Sequence, residues 1–239
     1  MSYKENLKKI FKESLDNYDN NAQMQMNISE SLVDILPDLD QPKILEIGCG
    51  TGFLTEKILK KYPNGQFDIT DLSPFMVEHC KKKFYDNNIR FFQMDGERIK
   101  MSNLSSREYR YDLIISSMVF HWFENPKEAI KNLKQFGPIF YATIGRYNFI
   151  EWQTLLRQLK LSKSIFPTPQ VSGQLKEEFF SSNQINLFSF FKSLKDIGTG
   201  ASAKSQARLS VSSCRKVMRN FNTREEKTMT WHIVYGAIK

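Results

Sequence analysis

Between Lys43 and Gly52 the chain reads Lys-Ile-Leu-Glu-Ile-Gly-Cys-Gly-Thr-Gly, and no other stretch restricts the fold as much. Ile44, Leu45 and Ile47 form a short apolar run with β-branched members that gives way at once to Gly48, Gly50 and Gly52. That is the pattern of a buried strand breaking into a tight turn. Phe53 to Lys61 then places Leu54, Ile58 and Leu59 at helical spacing. Glycine suits the turn because, lacking Cβ, its backbone takes positive φ and comes close to a ligand while the new helix presents free N–H groups. Strand, glycine turn and helix in this order open a nucleotide-binding α/β domain. A dinucleotide fingerprint would need glycine at the sixth position counted from Gly48; that position is Phe53, which weighs against a nicotinamide or flavin.

The segments that follow repeat the strand-then-acid arrangement. Gln66 to Asp71 reads as a second strand, followed by a helix over residues 75–84 with Pro74 in its first turn and Ser73 as its cap. A single carboxylate accepts from both hydroxyls of a ribose, so Asp71, ahead of Asp68, is the candidate ribose ligand. A third strand over 89–94 ends at Asp95-Gly96-Glu97, which taken alone is an ordinary turn. Residues 111–117 are a nearly continuous apolar run, as in a parallel strand covered on both faces, and lead into Met118-Val-Phe-His-Trp-Phe123. A helix over 127–135 and a fifth strand over 137–144 complete the series.

On either side of this core the pattern differs. Residues 1–36 are helical in spacing, with a polar interruption from Asn17 to Asn21 that carries Tyr18. Residues 146–223 read as a cap inserted between late core strands: amphipathic to 182, aromatic and helical over 183–197, rich in Ser and Lys/Arg over 201–216, with one short strand near 177–181. Residues 224–239 return as a terminal strand, Thr228–Ile238. The expected organisation is thus a core with an N-terminal helical lid over 1–145, the cap, and the returning strand.

The 34 Lys and Arg against 26 Asp and Glu leave a net charge of +8, an attraction to something acidic that does not specify what. No long apolar run suggests a membrane span, and the Lys-rich N-terminus lacks the apolar centre of a signal peptide, so a cytoplasmic protein is expected. Cys49, Cys80 and Cys214 are odd in number and far apart, with no metal spacing; reduced thiols and no metal are expected.

The spacing Glu46-x-Gly48-x-Gly50-x-Gly52 resembles motif I of the class I S-adenosylmethionine (SAM) methyltransferases. Three further segments resemble one branch of them, the malonyl-acyl-carrier-protein O-methyltransferases of biotin synthesis. These are Tyr18-Asp19-x-x-Ala22-x-Met24-Gln25, the run from Phe191 to Gly198 (Phe-Lys-Ser-Leu-Lys-Asp-Ile-Gly), and that from Thr230 to Gly236 (Thr-Trp-His-Ile-Val-Tyr-Gly). The resemblance implies a Rossmann-like, mostly parallel seven-stranded sheet with helices on both faces. It implies SAM held by Glu46, Gly48, Cys49, Gly50, Gly52, Asp71, Leu72, Met76, Asp95, Gly96 and Ser116, with Asp95 accepting from the adenine amino group. It also implies methyl transfer to the free carboxylate of a malonyl thioester on acyl carrier protein, an acidic partner for which Lys195, Lys204, Arg208, Arg215 and Lys216 are docking candidates.

A carboxylate is ionised at neutral pH, so its attack on a sulfonium methyl needs placement and the removal of water rather than a general base. Trp122 and Phe120 suit a site for a cation. Arg146, just after the fifth strand, is either an exposed loop arginine or the cation that holds the malonyl carboxylate, with Tyr18, His121 and Trp122 around it. Tyr18 fits a lid residue and a packed loop residue equally. Other readings remain: a methyltransferase for another small carboxylic acid or metabolite, a basic RNA-directed methyltransferase, or a SAM-binding protein without catalysis. A dense Lys/Arg tract, which nucleic-acid binding favours, is absent.

Overall fold

The computed structural model describes residues 2–21, 23–86, 88–99, 110–161, 168–183, 186–196, 210–225 and 227–239. The glycine stretch begins at the end of the central strand, β1 (Lys43–Ile47), which lies between β2 (Gln66–Asp71) and β4 (Leu113–Ser117). With β3 (Ile89–Gln93), β5 (Ile139–Ile144), β6 (Gln174–Asn183) and β7 (Thr228–Ile238) they form one seven-stranded sheet in the order β3-β2-β1-β4-β5-β7-β6. The pairs among β1 to β5 are parallel, whereas β7 runs antiparallel to both β5 and β6.

The apolar runs follow from burial. Every residue of β5 is buried, as are four of the five in β1, because helices cover both faces of these strands. Alternate residues serve two cores: Ile44, Leu113, Ile115 and Phe140 pack on one side, and Leu45, Ile114, Ile139 and Tyr141 on the other. The first side is closed by α2 (Gln23–Asp34), α3 (Phe53–Lys61), α6 (Ile150–Gln158), α7 (Leu187–Asp196) and α8 (Val211–Asn222), through Ile28, Ile58, Trp152, Phe190 and Phe221. The second side is closed by α5 (Pro126–Leu133) through Ile130 and Leu133. α4 (Pro74–Lys83) starts at Pro74 after Ser73, and the Asn125 side chain caps α5 by accepting from Glu128 N.

Three expectations need correction. α1 (Tyr3–Asn21) runs straight through the polar segment 17–21, since asparagine and aspartate lower helix propensity without ending a helix. β6 has ten residues where a short strand was expected, because both its faces find partners: the Glu178 carboxylate accepts from Ser31 and from the Tyr235 hydroxyl, at 3.2 and 2.6 Å, while Phe179 stacks on His232 on the other face. α8 begins within the Ser- and Lys/Arg-rich stretch 201–216 and runs past it to Asn222, capped by the Ser210 side chain, with Val217 and Phe221 buried one turn apart.

Candidate active site

The order of strands reverses between β1 and β4, and a ligand crevice is expected there, outside the carboxyl ends of the strands. Four strand ends do meet at one cavity. Gly48 to Thr51 follow β1, Asp71 and Leu72 end β2, Met94 to Glu97 follow β3, and Ser117 to Val119 end β4. Met76 of α4, Lys4, Leu7 and Phe11 of α1, Gln25 and Ser29 of α2, and the aromatic pair Trp122 and Phe123 complete the wall.

The glycine loop is shaped for close approach. Gly50 has φ +52°, and a Cβ built there would meet nothing within 4 Å: it would project into open space at the cavity wall. Gly48 has φ +77°, and its Cβ would lie 2.3 Å from Val119 Cγ2, so only glycine lets β1 pass under the loop after β4. The Gly50 peptide is held at both ends: its N–H donates to Asp71 Oδ2 at 3.0 Å and its carbonyl accepts from Cys80 Sγ at 3.3 Å. Asp71 Oδ1 accepts from Ser73 N at 2.8 Å. Burial pushes the Asp71 carboxyl up to about 6 against these backbone hydrogen bonds, which favour its charged form. Each oxygen retains a lone pair for a ligand hydroxyl.

Glu46 stands beneath the wall rather than in it. It is fully buried, Oε2 accepts from Thr55 Oγ1 at 2.7 Å, and Oε1 has no partner. Burial, reinforced by the nearby Asp71, pushes its carboxyl up to about 8. Cys49 lines the cavity with a thiol pushed well up by the hydrogen bond with Cys80 and by burial, so it is unreactive. Leu72, Met76 and Gly96 are in the wall; Gly52, the cap of α3, and Ser116, whose hydroxyl donates to Ile47 O, lie behind it. Asp68 is turned away, bonded to Arg90 and to the Tyr111 hydroxyl.

At the other end of the cavity a residue the sequence did not single out takes part. Lys4 Nζ donates to Asp95 Oδ2 at 2.6 Å and lies 2.8 Å from Glu97 Oε2. α1 is held there also by the Tyr3 hydroxyl on Trp122 O at 3.1 Å and by Phe11, edge-on to the Trp122 ring at 5.7 Å. One lysine in an amphipathic N-terminal helix carries no sequence signal; only packing shows its two carboxylates.

Of the substrate-side candidates, the structure brings Trp122 to the cavity. His121 is buried beside it, ring centroids 4.8 Å apart, with Nδ1 unpartnered, and burial pulls its pKa down to about 3. Arg146 lies outside the wall, exposed, with its guanidinium 4.5 Å over the Tyr147 ring. Tyr18 is on α1, and its side chain falls outside the described residues.

This donor set fits a cofactor with a ribose diol, a purine amino group and a cationic centre: Asp71, Asp95, the cradle at Gly50 and an aromatic wall are in place. A family model described as a methyltransferase domain matches residues 45–136, which span the four strand ends. The fold is similar to that of a candidate methyltransferase of Bacillus halodurans, at TM-score 0.55 and 10% identity, covering 87% of this chain and 96% of that one. Malonyl-[acyl-carrier protein] O-methyltransferase 1 of Ilyobacter polytropus is 29% identical, over 99% of this chain and 94% of that protein. The malonyl-[acyl-carrier protein] O-methyltransferase of Priestia megaterium is 32% identical over 78% of this chain and 67% of its own length. Sequence likeness that runs through the helices on both sides of the shared module, and not through the module alone, shows that the chain belongs to the malonyl-[acyl-carrier protein] O-methyltransferase family.

Proposed function

We propose that the protein transfers a methyl group from SAM to the free carboxylate of malonyl-acyl carrier protein, the step that makes a malonyl methyl ester for biotin synthesis. The observation that carries this reading is the cradle in which Asp71 holds the Gly50 peptide open to the cavity, in a chain of this family. Bound SAM supplies the electrophilic methyl on its sulfonium. The chain's own groups place the reactants and keep water out. Phe11, Trp122 and Phe123 present aromatic surface to a cation and exclude solvent from a weak nucleophile. No proton acceptor is required by an ionised acid, and His121, buried and neutral, supports the Trp122 wall rather than the chemistry.

The malonyl carboxylate needs a cation if it is to leave water. Lys4, the one cation in the wall among the described residues, is already paired with Asp95 and Glu97. Arg146 has no carboxylate partner among the described residues and begins the loop after β5; it is the group proposed to meet the malonyl end at the mouth by leaving the Tyr147 ring. Tyr18 on α1 is proposed as part of the lid, and residues 146–223 as the substrate-side region. On α8, Arg215, Lys216 and Arg219 are exposed and the helix has no carboxylate, which suits an acidic carrier. Lys204 and Arg208, and the side chain of Lys195, lie outside the described residues. Among the described residues no helix is long and apolar enough to cross a membrane.

Mass spectrometry of malonyl-carrier protein after incubation with SAM tests the reading. One added methyl group on the malonyl moiety is the expected result. Methylation of free dicarboxylic acids with none on the carrier would transfer the protein to a small-acid methyltransferase.

A further inference from the structure

His232 of β7 is buried, 2% exposed, one residue beyond the pairing of Ile144 with Ile233 that ends β5, and so beside the loop that carries Arg146. Nothing in the chemistry described above uses it, yet three of its polar groups are engaged with residues 145–148. Its carbonyl accepts from Gly145 N at 2.7 Å, its backbone N–H donates to Asn148 Oδ1 at 3.2 Å, and its ring Nδ1 accepts from Tyr147 N at 3.1 Å. A peptide N–H can only donate, so Nδ1 carries no proton and the proton of the ring sits on Nε2, 3.0 Å from Glu177 Oε2.

The ring is also packed from two directions. Phe179 of β6 stacks on it with centroids 4.4 Å apart, and the Tyr147 ring lies beside it at 5.4 Å. Gly145 makes this approach possible: a Cβ there would lie 2.3 Å from both Cε1 and Nδ1 of the imidazole, so any other residue would push loop and ring apart.

We infer that His232 is the positioning residue for Arg146: by holding the Tyr147 peptide it fixes the pivot from which the arginine side chain leaves the Tyr147 ring and meets the malonyl carboxylate. This rests on the part proposed for Arg146 and supplies what orients it. A long exposed side chain gives up rotamer freedom when it pairs with a ligand, and a loop already fixed adds no further ordering cost to that step. The backbone around the pivot is tied as well. Gln153 Nε2 donates to Arg146 O at 3.1 Å and to Asn148 O at 2.8 Å, and Phe149 N donates to Thr230 O at 2.6 Å. Gln153 belongs to the same segment of chain, whereas His232 brings the loop under the control of the sheet.

Steady-state kinetics on the full chain, with malonyl-carrier protein and SAM varied in turn, test the inference. His232→Leu removes the acceptor and should raise the KM for malonyl-carrier protein about five- to tenfold, with the KM for SAM within about twofold of the unaltered value. His232→Asn keeps an acceptor near the place of Nδ1 and should bring the first KM back to within about twofold. Arg146→Ala should raise that KM at least as much, and adding His232→Leu to it should change it by less than about twofold, because the two residues act as one unit. Thermal midpoints report folding; if His232→Leu does not fold, Gly145→Ala, whose methyl displaces the ring, should give the same kinetic pattern. Equal KM values for His232→Leu and His232→Asn, or a full further rise from His232→Leu in the absence of Arg146, would overturn the inference. An unchanged KM in Arg146→Ala would remove Arg146 from the site and this inference with it. If the unaltered protein methylates no malonyl-carrier protein, the transfer reading itself falls and takes the inference with it, a result separate from any difference between variants.

Discussion

The sheet from β3 to β4 and the sheet from β5 to β6 are built to different ends. In the first half each strand delivers a polar or glycine residue to one cavity, where Glu46 Oε1 and Thr51 Oγ1 lack partners and burial raises the hydrogen-bonded carboxyl of Asp71. In the second half the helices meet the sheet through interlocked aromatic rings. Phe149 packs edge-on against Phe190 and Trp231 at 4.9 and 4.7 Å, and Trp152 against Phe191 at 5.0 Å. The Glu178 carboxylate there is paired with the Tyr235 hydroxyl, and the atoms that lack a partner, Thr143 Oγ1, Asn148 Nδ2 and Trp152 Nε1, lie outside the wall of that cavity. The difference shows where stability is held and where it is given up so that a ligand can be bound.

Substitutions should separate the two halves. Phe190→Ala removes a fully buried ring from the aromatic cluster and should cost about 3–5 kcal/mol in denaturant unfolding, with S-adenosylhomocysteine affinity of the folded protein nearly intact. Gly50→Val should do the opposite: loss of about a hundredfold in affinity, ~2.7 kcal/mol, for a side chain driven into the cradle, with a smaller stability loss of about 1 kcal/mol from the strained φ. If both variants lost stability and affinity in the same proportion, the division would be wrong.

The third prediction concerns pH. Folded Glu46 keeps its proton up to about pH 8, whereas in the unfolded chain it releases it near its ordinary value of 4.5. The folded state therefore binds more protons across that window, and stability without cofactor should fall as pH rises through it, by at most about 1.4 kcal/mol per pH unit for one group. Asp71, raised from 3.8 to about 6, adds a slope of the same sign between those values. Unfolding measured from pH 5 to 8 should show a flatter profile in Glu46→Gln. Unchanged slope would mean that Glu46 is ionised in the folded protein.

The smallest effect belongs to the exposed basic face of the second half. Arg215→Glu with Arg219→Glu should raise the KM for malonyl-carrier protein several-fold at low salt, about 0.2–1 kcal/mol per charge, and the difference should shrink at high salt. KM for SAM should not move. A salt-independent defect would place these residues elsewhere in the mechanism.

What could be read from the sequence follows the same boundary. A cofactor half needs particular residues at fixed spacings, so Glu46, the glycines, Asp71 and Asp95 announce themselves at three successive strand ends. A packing half needs only apolar volume at intervals, which many sequences supply. α8 is hidden because the serines of its first turn and its outward cations mask Val217 and Phe221, and β6 because its charged residues are satisfied by partners distant in sequence. Lys4 is hidden for a third reason: its carboxylates come from the far end of β3. Arg146 follows β5, yet its guanidinium lies over the Tyr147 ring and not in the cavity wall, so the part proposed for it at the malonyl end requires it to leave that ring.

Five of the wall residues, Lys4, Leu7, Phe11, Gln25 and Ser29, precede residue 45, where the match to the shared methyltransferase module begins. The portable module is by itself a saucer. A fragment beginning at β1 would keep the floor and every glycine in it, yet have no roof, so the vessel in which the reaction is shielded is made by two helices that a search for the module alone passes over.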